Sequence, residues 1–250
     1  MIVDGHPEVL ALAAHPQGVL TLGTPQTDAA AIHLLGLHDD PSRAIASLSD
    51  ADLIGASVRR RPGLRAPGSV DHGETLLRTV VGQQVSLASA RAVTGRLVGA
   101  HGQTLPGRVL AAGGPTHVFP AVDVLAALDP ESLPMPRARG RTLVGVAAAL
   151  ADDAGVVRTD AALLALPGIG PWTVDYTRLR TRRDPDVLLT TDLAVRRQLE
   201  RLSGGLPVDT SRWAPFRTTA LVHLWAGYLD GSAASRAPLA RLRRARQVPA

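Results

Sequence analysis

Cysteine is missing from the 250-residue chain, and with it go disulfides, iron–sulfur clusters, thiolate zinc sites and thiol nucleophiles. A reducing compartment fits that composition. Lysine is missing as well, so that the 27 basic residues are all arginine. GC-rich coding accounts for such a bias without a functional cause, but the chemical consequence is the same: no side chain offers a primary amine for Schiff-base chemistry. Aromatic residues are scarce, with 3 Trp, 2 Tyr and 2 Phe. No stretch approaches the roughly 18 uninterrupted apolar residues of a membrane-spanning helix. The opening MIVDGHPEVLALAAHPQGVL lacks the basic segment and long apolar run of a secretory signal. These absences point to a cytoplasmic protein with no membrane partner.

What is present starts with length and charge. A chain of 250 residues can bury a core without a staple, as one large domain or two small ones. The net charge is +5 and the sequence pI about 10.9. Guanidinium groups stay protonated and bind phosphate through two N–H groups at once, so the balance leans toward a nucleic-acid partner.

Along the chain the first twenty-five residues mix short apolar pieces with Gly and Pro, and Gly18 to Gly23 (GVLTLG) reads as a strand or part of a small sheet. From Thr27 the pattern turns helical: DAAAIHLLGLHDD, PSRAIASLSD with Pro41 at a first helical position, and ADLIGASV. Arg59 to Ser69 (RRRPGLRAPGS) is aperiodic and reads as a connection. It suggests a division into a short segment 1–62, a reduced α/β domain or helical lead-in, and a helical body 63–250. In that body VDHGETLLRTVV and SLASARAVTGRLVGAHG carry apolar residues at three- and four-residue spacing, with Gly82 closing one helix and Ser86 capping the next. A Pro/Gly-rich stretch from Leu105 to Pro120 precedes helical AVDVLAAL, RARGRTLVGVAAALADDAG and TDAALLAL. Then come WTVDYTRLR, the irregular TRRDPDVLLTT, DLAVRRQLERL ended by Gly204 and Gly205, SRWAPFRTTALVHLWAGYLD, and a basic helical tail, RAPLARLRRARQ. The fold class expected is mainly α.

Leu166-Pro167-Gly168-Ile169-Gly170-Pro171-Trp172 lies between two helical patterns. Its glycines permit positive φ, and Pro171 suits the first turn of the second helix. Without a Cβ at Gly168 and Gly170, N–H groups at that helix start can come close to a phosphate, helped by the helix dipole. Pro/Gly turns join helices in many proteins, so the turn alone does not decide its use.

The longer run LPGIGPWTVDYTRLRTRRDPDVLLTTD resembles the signature of the helix-hairpin-helix-GPD DNA glycosylases, in which a hairpin at about 160–180, a Gly/Pro-rich loop and an aspartate follow in order. Asp192 stands at the aspartate position. RPGLRAPGSVD, VVGQQVS, MPRARGRTL, the hairpin and RTTALVHLW also occur in the order of the DNA-3-methyladenine glycosylase II family, across roughly residues 55 to 230. That family usually has a longer N-terminal α/β domain than the first sixty residues here can form. The resemblance implies a helix-hairpin-helix glycosylase fold with a short, partly β N-terminal segment. It also implies excision of alkylated bases from double-stranded DNA by a monomer, with no cofactor and with a monovalent cation as a further partner at the hairpin.

Breaking an N-glycosidic bond builds positive charge on the deoxyribose, and a carboxylate near C1′ favours that state. Asp192 opens the helix LAVRRQLERL, where backbone N–H groups favour a carboxylate; taken alone it reads as an ordinary N-cap. At the family position it would stabilise the oxocarbenium-like state and orient or deprotonate water. In bifunctional relatives a lysine of the second hairpin helix attacks the sugar; the matching position here is Trp172, which implies hydrolysis without strand cleavage. Six of the seven aromatic residues fall between Trp172 and Tyr228. The resemblance assigns Trp225 as the stacking partner of a flipped cationic base, with Trp172 and Tyr176 lining the pocket. The bland reading makes all three core residues, as Trp213, Phe216 and the histidine at 223 are expected to be.

The gap left by the flipped base is filled in this family by a residue of the GQQVS turn, where Gln84 matches best and Gln83 stands next to it. Arg137, Arg139 and Arg141, and separately Arg178, Arg180, Arg182 and Arg183, are candidate phosphate contacts or simply solvated charge. The DNA-binding set is thus Gln84, Gln83, Gly168, Gly170 and Arg137. Three rivals stand beside this reading: a non-catalytic helix-hairpin-helix DNA-binding protein, a glycosylase for another lesion class, and a metal-dependent hydrolase. The last lacks any close cluster of His and carboxylate ligands.

Overall fold

Thr24, Asp71, Ser86, Thr159 and Asp192 each precede a helix and accept a backbone N–H of its first turn. Such caps satisfy donors that have no partner within the helix, and at these five helix starts a short polar side chain therefore sets where the helix begins. The computed structural model describes residues 2–3, 6–16, 18–105 and 114–245. Part of the Leu105 to Pro120 stretch and the last residues of the basic tail lie outside the described residues.

Two short antiparallel pairs come first, β1 (Ile2–Val3) with β2 (His6–Pro7) and β3 (Ala11–His15) with β4 (Gly18–Leu22). The second pair runs in register from Ala11 opposite Leu22 to His15 opposite Gly18. Apart from an isolated antiparallel bridge between Thr104 and His117, the described residues after that form helices and turns: α1 (Pro25–Leu35), α2 (Ser42–Leu48), α3 (Gly55–Arg60), α4 (His72–Gly82), α5 (Leu87–His101), α6 (Val122–Ala126), α7 (Arg137–Asp152), α8 (Asp160–Leu164), α9 (Pro171–Thr181), α10 (Leu193–Ser203) and α11 (Arg217–Ala245). Gly82 and Ser86 fall where the sequence places them, at the end of α4 and at the cap of α5. Pro41 is one position earlier than expected, at the N-cap of α2. No helix among the described residues is long and apolar enough to cross a membrane.

The chain folds as two units, and it does not divide at residue 62. One unit joins Met1–Asp39 to Pro67–Arg183, and the other joins Asp40–Ala66 to Asp184–Ala250. The reason lies in what the short helices bury. In the second unit α3 packs on α11, with Val58 fully buried and Arg61 paired to Asp230 at 2.5 Å. In the first, α1 is tied down by the Gly68 N–H on the Leu34 carbonyl at 2.8 Å and by Arg183 on the His33 carbonyl at 3.0 Å.

Within the first unit the apolar spacing of α4 and α7 becomes a core. Leu76, Leu77, Val80 and Val81 of α4 and Leu143, Val146, Ala147 and Leu150 of α7 are buried together, with Leu163, Ile169 and Val174 carrying that core beneath the hairpin. Gly140 lets α7 lie against the Pro130 carbonyl, where a Cβ would approach to 2.4 Å. In the second unit α10 packs on α11, and Val195, Leu221 and Leu224 are fully buried.

Candidate functional site

The hairpin belongs to the first unit. Gly168 has φ +82°, a conformation that disfavours any residue with a Cβ, and an added Cβ would lie 2.1 Å from the Thr142 hydroxyl. Gly170 differs from the expectation of a second positive φ. It is an extended N-cap, φ −112° and ψ 176°, with nothing within 4 Å of where a Cβ would be. Its value is therefore open space at the start of α9, where Pro171 occupies the first turn and backbone N–H groups lack helical partners. Such a start can take an anion.

One turn into α9, Trp172 and Tyr176 stack with centroids 5.4 Å apart and planes 22° from parallel. Both are half-buried, so neither is closed inside a core. Arg180, one further turn along, donates to the Tyr176 hydroxyl at 3.0 Å and to the Gly68 carbonyl at 3.0 and 3.3 Å.

The turn between α4 and α5 lies against this hairpin. The Gln83 amide donates to the Gly168 carbonyl and to the Thr173 hydroxyl, each at 3.1 Å. Gln84 is exposed and has φ +55°. The adjacent glutamines thus stand apart, one bonded inward and one presented outward.

Asp192 belongs to the second unit. The irregular segment before it is held by Asp186, whose carboxylate takes Nε and Nη2 of Arg217 at 2.8 and 2.7 Å. Thr218 adds its hydroxyl, donating to the Asp184 carbonyl at 2.7 Å and accepting the Val187 N–H at 2.9 Å. Val187 and Leu189 are buried beneath this clamp. The chain then reaches Asp192 in a defined orientation, with its carboxylate Oδ1 accepting the N–H groups of Ala194 and Val195 at 3.0 Å each. The indole N–H of Trp225 on α11 reaches the same oxygen at 3.3 Å. Asp192 and Trp225 are both half-buried. The three donors fall on one oxygen, which orients Oδ2 by fixing its partner.

Among the remaining aromatics Trp213 is a buried core residue and Phe216 is half-buried. The histidine at 223 is buried at 3% exposure, and its Nδ1 is 3.0 Å from the Ser57 hydroxyl. Burial above all, and then the positive charge of Arg61, lower its pKa to about 4.

The arginine clusters are largely engaged in the fold. Arg178 pairs with Asp160 and Asp175 at 3.3 Å, Arg182 also bonds Asp160, and Arg183 bonds Asp39. The Arg182 bond, more than any other cause, lowers the Asp160 pKa below its ordinary value. Arg137 is exposed but paired with Glu131 at 2.6 Å, which Arg141 shares at 3.2 Å. Four roles escaped the sequence reading: the Asp186–Arg217 clamp, the Thr218 bridge, the Gln83 tie and the Thr142 contact behind Gly168. Arg217 and Thr218 lie inside RTTALVHLW, so a signal was present, but their partners are about thirty residues away and sequence spacing does not reveal such pairs.

No protein-family model matches the chain. It is 40% identical over 206 residues to the Mycobacterium tuberculosis protein "Probable bifunctional transcriptional activator/DNA repair enzyme AlkA", a match covering 77% of this chain and 40% of that protein. It is 34% identical over 193 residues to Escherichia coli DNA-3-methyladenine glycosylase 2, covering 71% of this chain and 64% of that one. The chain therefore spans less than two thirds of either relative. In three dimensions it matches the 3-methyladenine DNA-glycosylase of Archaeoglobus fulgidus with a TM-score of 0.76 at 19% identity, over 91% of this chain and 85% of that one.

The hairpin, the loop and the aspartate at a helix start are set in a helical fold shared with that structure, and the chain is similar in sequence to DNA glycosylases of the helix-hairpin-helix class. Within that class the similarity over the matched residues is to the AlkA-type proteins, DNA-3-methyladenine glycosylase 2 among them.

Proposed function

We propose that the protein is a monofunctional DNA glycosylase that hydrolyses the N-glycosidic bond of alkylated bases, of the 3-methyladenine and 7-methylguanine type, extruded from duplex DNA. The observation that carries this reading is the holding of Asp192: Ala194 and Val195 main-chain N–H groups and the Trp225 indole converge on Oδ1. A carboxylate fixed in advance acts on developing charge without reorganising during the reaction.

The bond from C1′ to the base nitrogen breaks with its electron pair leaving on the base. An alkylated purine that carries formal positive charge departs neutral, which reduces the need for a general acid. Positive charge builds on the sugar, where Oδ2 of Asp192 stabilises it. Water then adds to C1′ and gives up a proton, with Asp192 orienting the attack. The products are a free base and an abasic site in an unbroken strand. Trp172 stands where the bifunctional enzymes have lysine, and no lysine exists elsewhere in the chain.

Trp225 offers its face to the extruded base while its N–H holds the carboxylate, and Trp172 and Tyr176 provide further stacking surface. Gly168 and Gly170 with the start of α9 take a backbone phosphate, Gln84 fills the gap in the duplex, and Arg137 meets a neighbouring phosphate. The hairpin would also hold a monovalent cation through main-chain carbonyls. Residues 164–174 include no carboxylate, so the oxygens available there are neutral, which suits a singly charged ion. The protein acts as a monomer in the cytoplasm, on the nucleoid.

The test is to incubate the protein with duplex DNA treated with methyl methanesulfonate, chromatograph the released bases and run the strands on a denaturing gel. Free 3-methyladenine or 7-methylguanine is expected, with strands that break only after alkali. Absence of any released base would overturn the enzymatic reading, and strand breaks without alkali would overturn its monofunctional part.

A further inference from the structure

We propose that Gln83 is a positioning residue that braces the wedge: its amide locks the α4–α5 turn to the hairpin, so that Gln84 meets the duplex in fixed relation to the phosphate held at α9. This inference rests on the glycosylase reading given above.

The Gly168 oxygen can only accept, so the nitrogen end of the Gln83 amide must face it, and the amide orientation follows from chemistry. The second N–H goes to the Thr173 hydroxyl, and both donors of the amide are thereby used. Both acceptors are themselves immobile. Thr173 is 2% exposed on α9, and Gly168 holds a positive φ with Thr142 directly behind it.

On the other side of the brace the chain turns sharply. Gln83 closes α4, its N–H on the Val80 carbonyl at 3.2 Å, and Gln84 follows in the left-handed region with its side chain exposed. A residue with a Cβ populates that conformation reluctantly, so something must hold it there. The two amide bonds are anchored one residue away. A long polar side chain tethered to a hairpin and followed by an exposed one at positive φ is the arrangement expected if the first sets the height of the second.

Binding to a duplex with one tetrahydrofuran abasic analogue, compared with the same duplex intact, tests this without turnover. Gln83→Met keeps the length of the side chain and removes both donors; Gln83→Glu keeps the shape and removes them differently, which covers the failure of either variant to fold. Each should bind the abasic duplex about tenfold more weakly, intact duplex unchanged, with the second loss in a Gln84→Ala background falling below about twofold because the two residues act as one unit. Unchanged abasic binding, losses that multiply in the double variant, or an equal loss on intact duplex would overturn the brace. Wild-type protein that does not distinguish the two duplexes would overturn the glycosylase reading itself.

Discussion

In the proposed mechanism Asp192 has two tasks that substitution can separate. As an N-cap it accepts the Ala194 and Val195 N–H groups, and asparagine caps as well as aspartate does. Asp192→Asn should therefore leave thermal stability almost unchanged while removing activity, whereas Asp192→Ala should lose activity and also about 1 kcal/mol of stability. Thermal denaturation of the two variants side by side checks this. A large drop in stability for the asparagine variant would mean that charge, not capping, holds the helix start. The histidine at 223 yields a pH prediction. Its folded pKa of about 4 lies below the ordinary 6.5, so the unfolded chain binds the extra proton first as pH falls. Its contribution to stability is intact above about pH 6.5, falls between there and 4, and changes no further below. A melting-temperature profile should slope more shallowly across that window in His223→Asn than in wild type. The position of Asp192 at a helix start and the burial of the histidine at 223 were legible from residue type and pattern. The sharing of Oδ1 by Trp225 was not, because a 33-residue separation closes only when α10 and α11 pack together.

At the scale of elements, the hairpin carries the sharpest contrast. Gly168 and Gly170 look equivalent in the string LPGIGP, yet one is demanded by backbone conformation and a crowded neighbour and the other only by open space. Gly168→Ala should cost roughly 1–3 kcal/mol of stability through strain at positive φ and the clash with Thr142. Gly170→Ala should change stability by less than about 0.5 kcal/mol and weaken duplex binding about tenfold, because its new methyl meets the phosphate rather than the protein. Denaturation and duplex titration of both variants distinguish the cases. Helix boundaries were readable because they depend on a few neighbouring residues: Gly82 at the end of α4, and Ser86 and Pro171 at the starts of α5 and α9, fall at or beside the expected positions. The strand pairing of Ala11–His15 with Gly18–Leu22 was only half visible, since two strands exposed throughout show no alternation of apolar and polar residues.

For the whole molecule, arginine richness misleads if taken as a map of the proposed DNA contact. Much of the charge near α9 supports the fold: Arg178, Arg182 and Arg183 are bound to Asp160, Asp175 and Asp39. The two-unit organisation also lay beyond the sequence pattern. A Pro/Gly-rich linker marks where a chain turns, whereas the unit a segment joins depends on the surface it buries, as α3 does on α11. A fixed carboxylate acting on a sugar as it becomes cationic is the centre of the proposed mechanism. Its most direct test is the single-turnover rate of base release from a duplex carrying one 7-methylguanine, measured for wild type and Asp192→Asn at matched duplex occupancy. The account predicts measurable release by wild type and a rate lower by at least about 100-fold in the variant, with affinity for the duplex retained. Equal rates in the two proteins would contradict it.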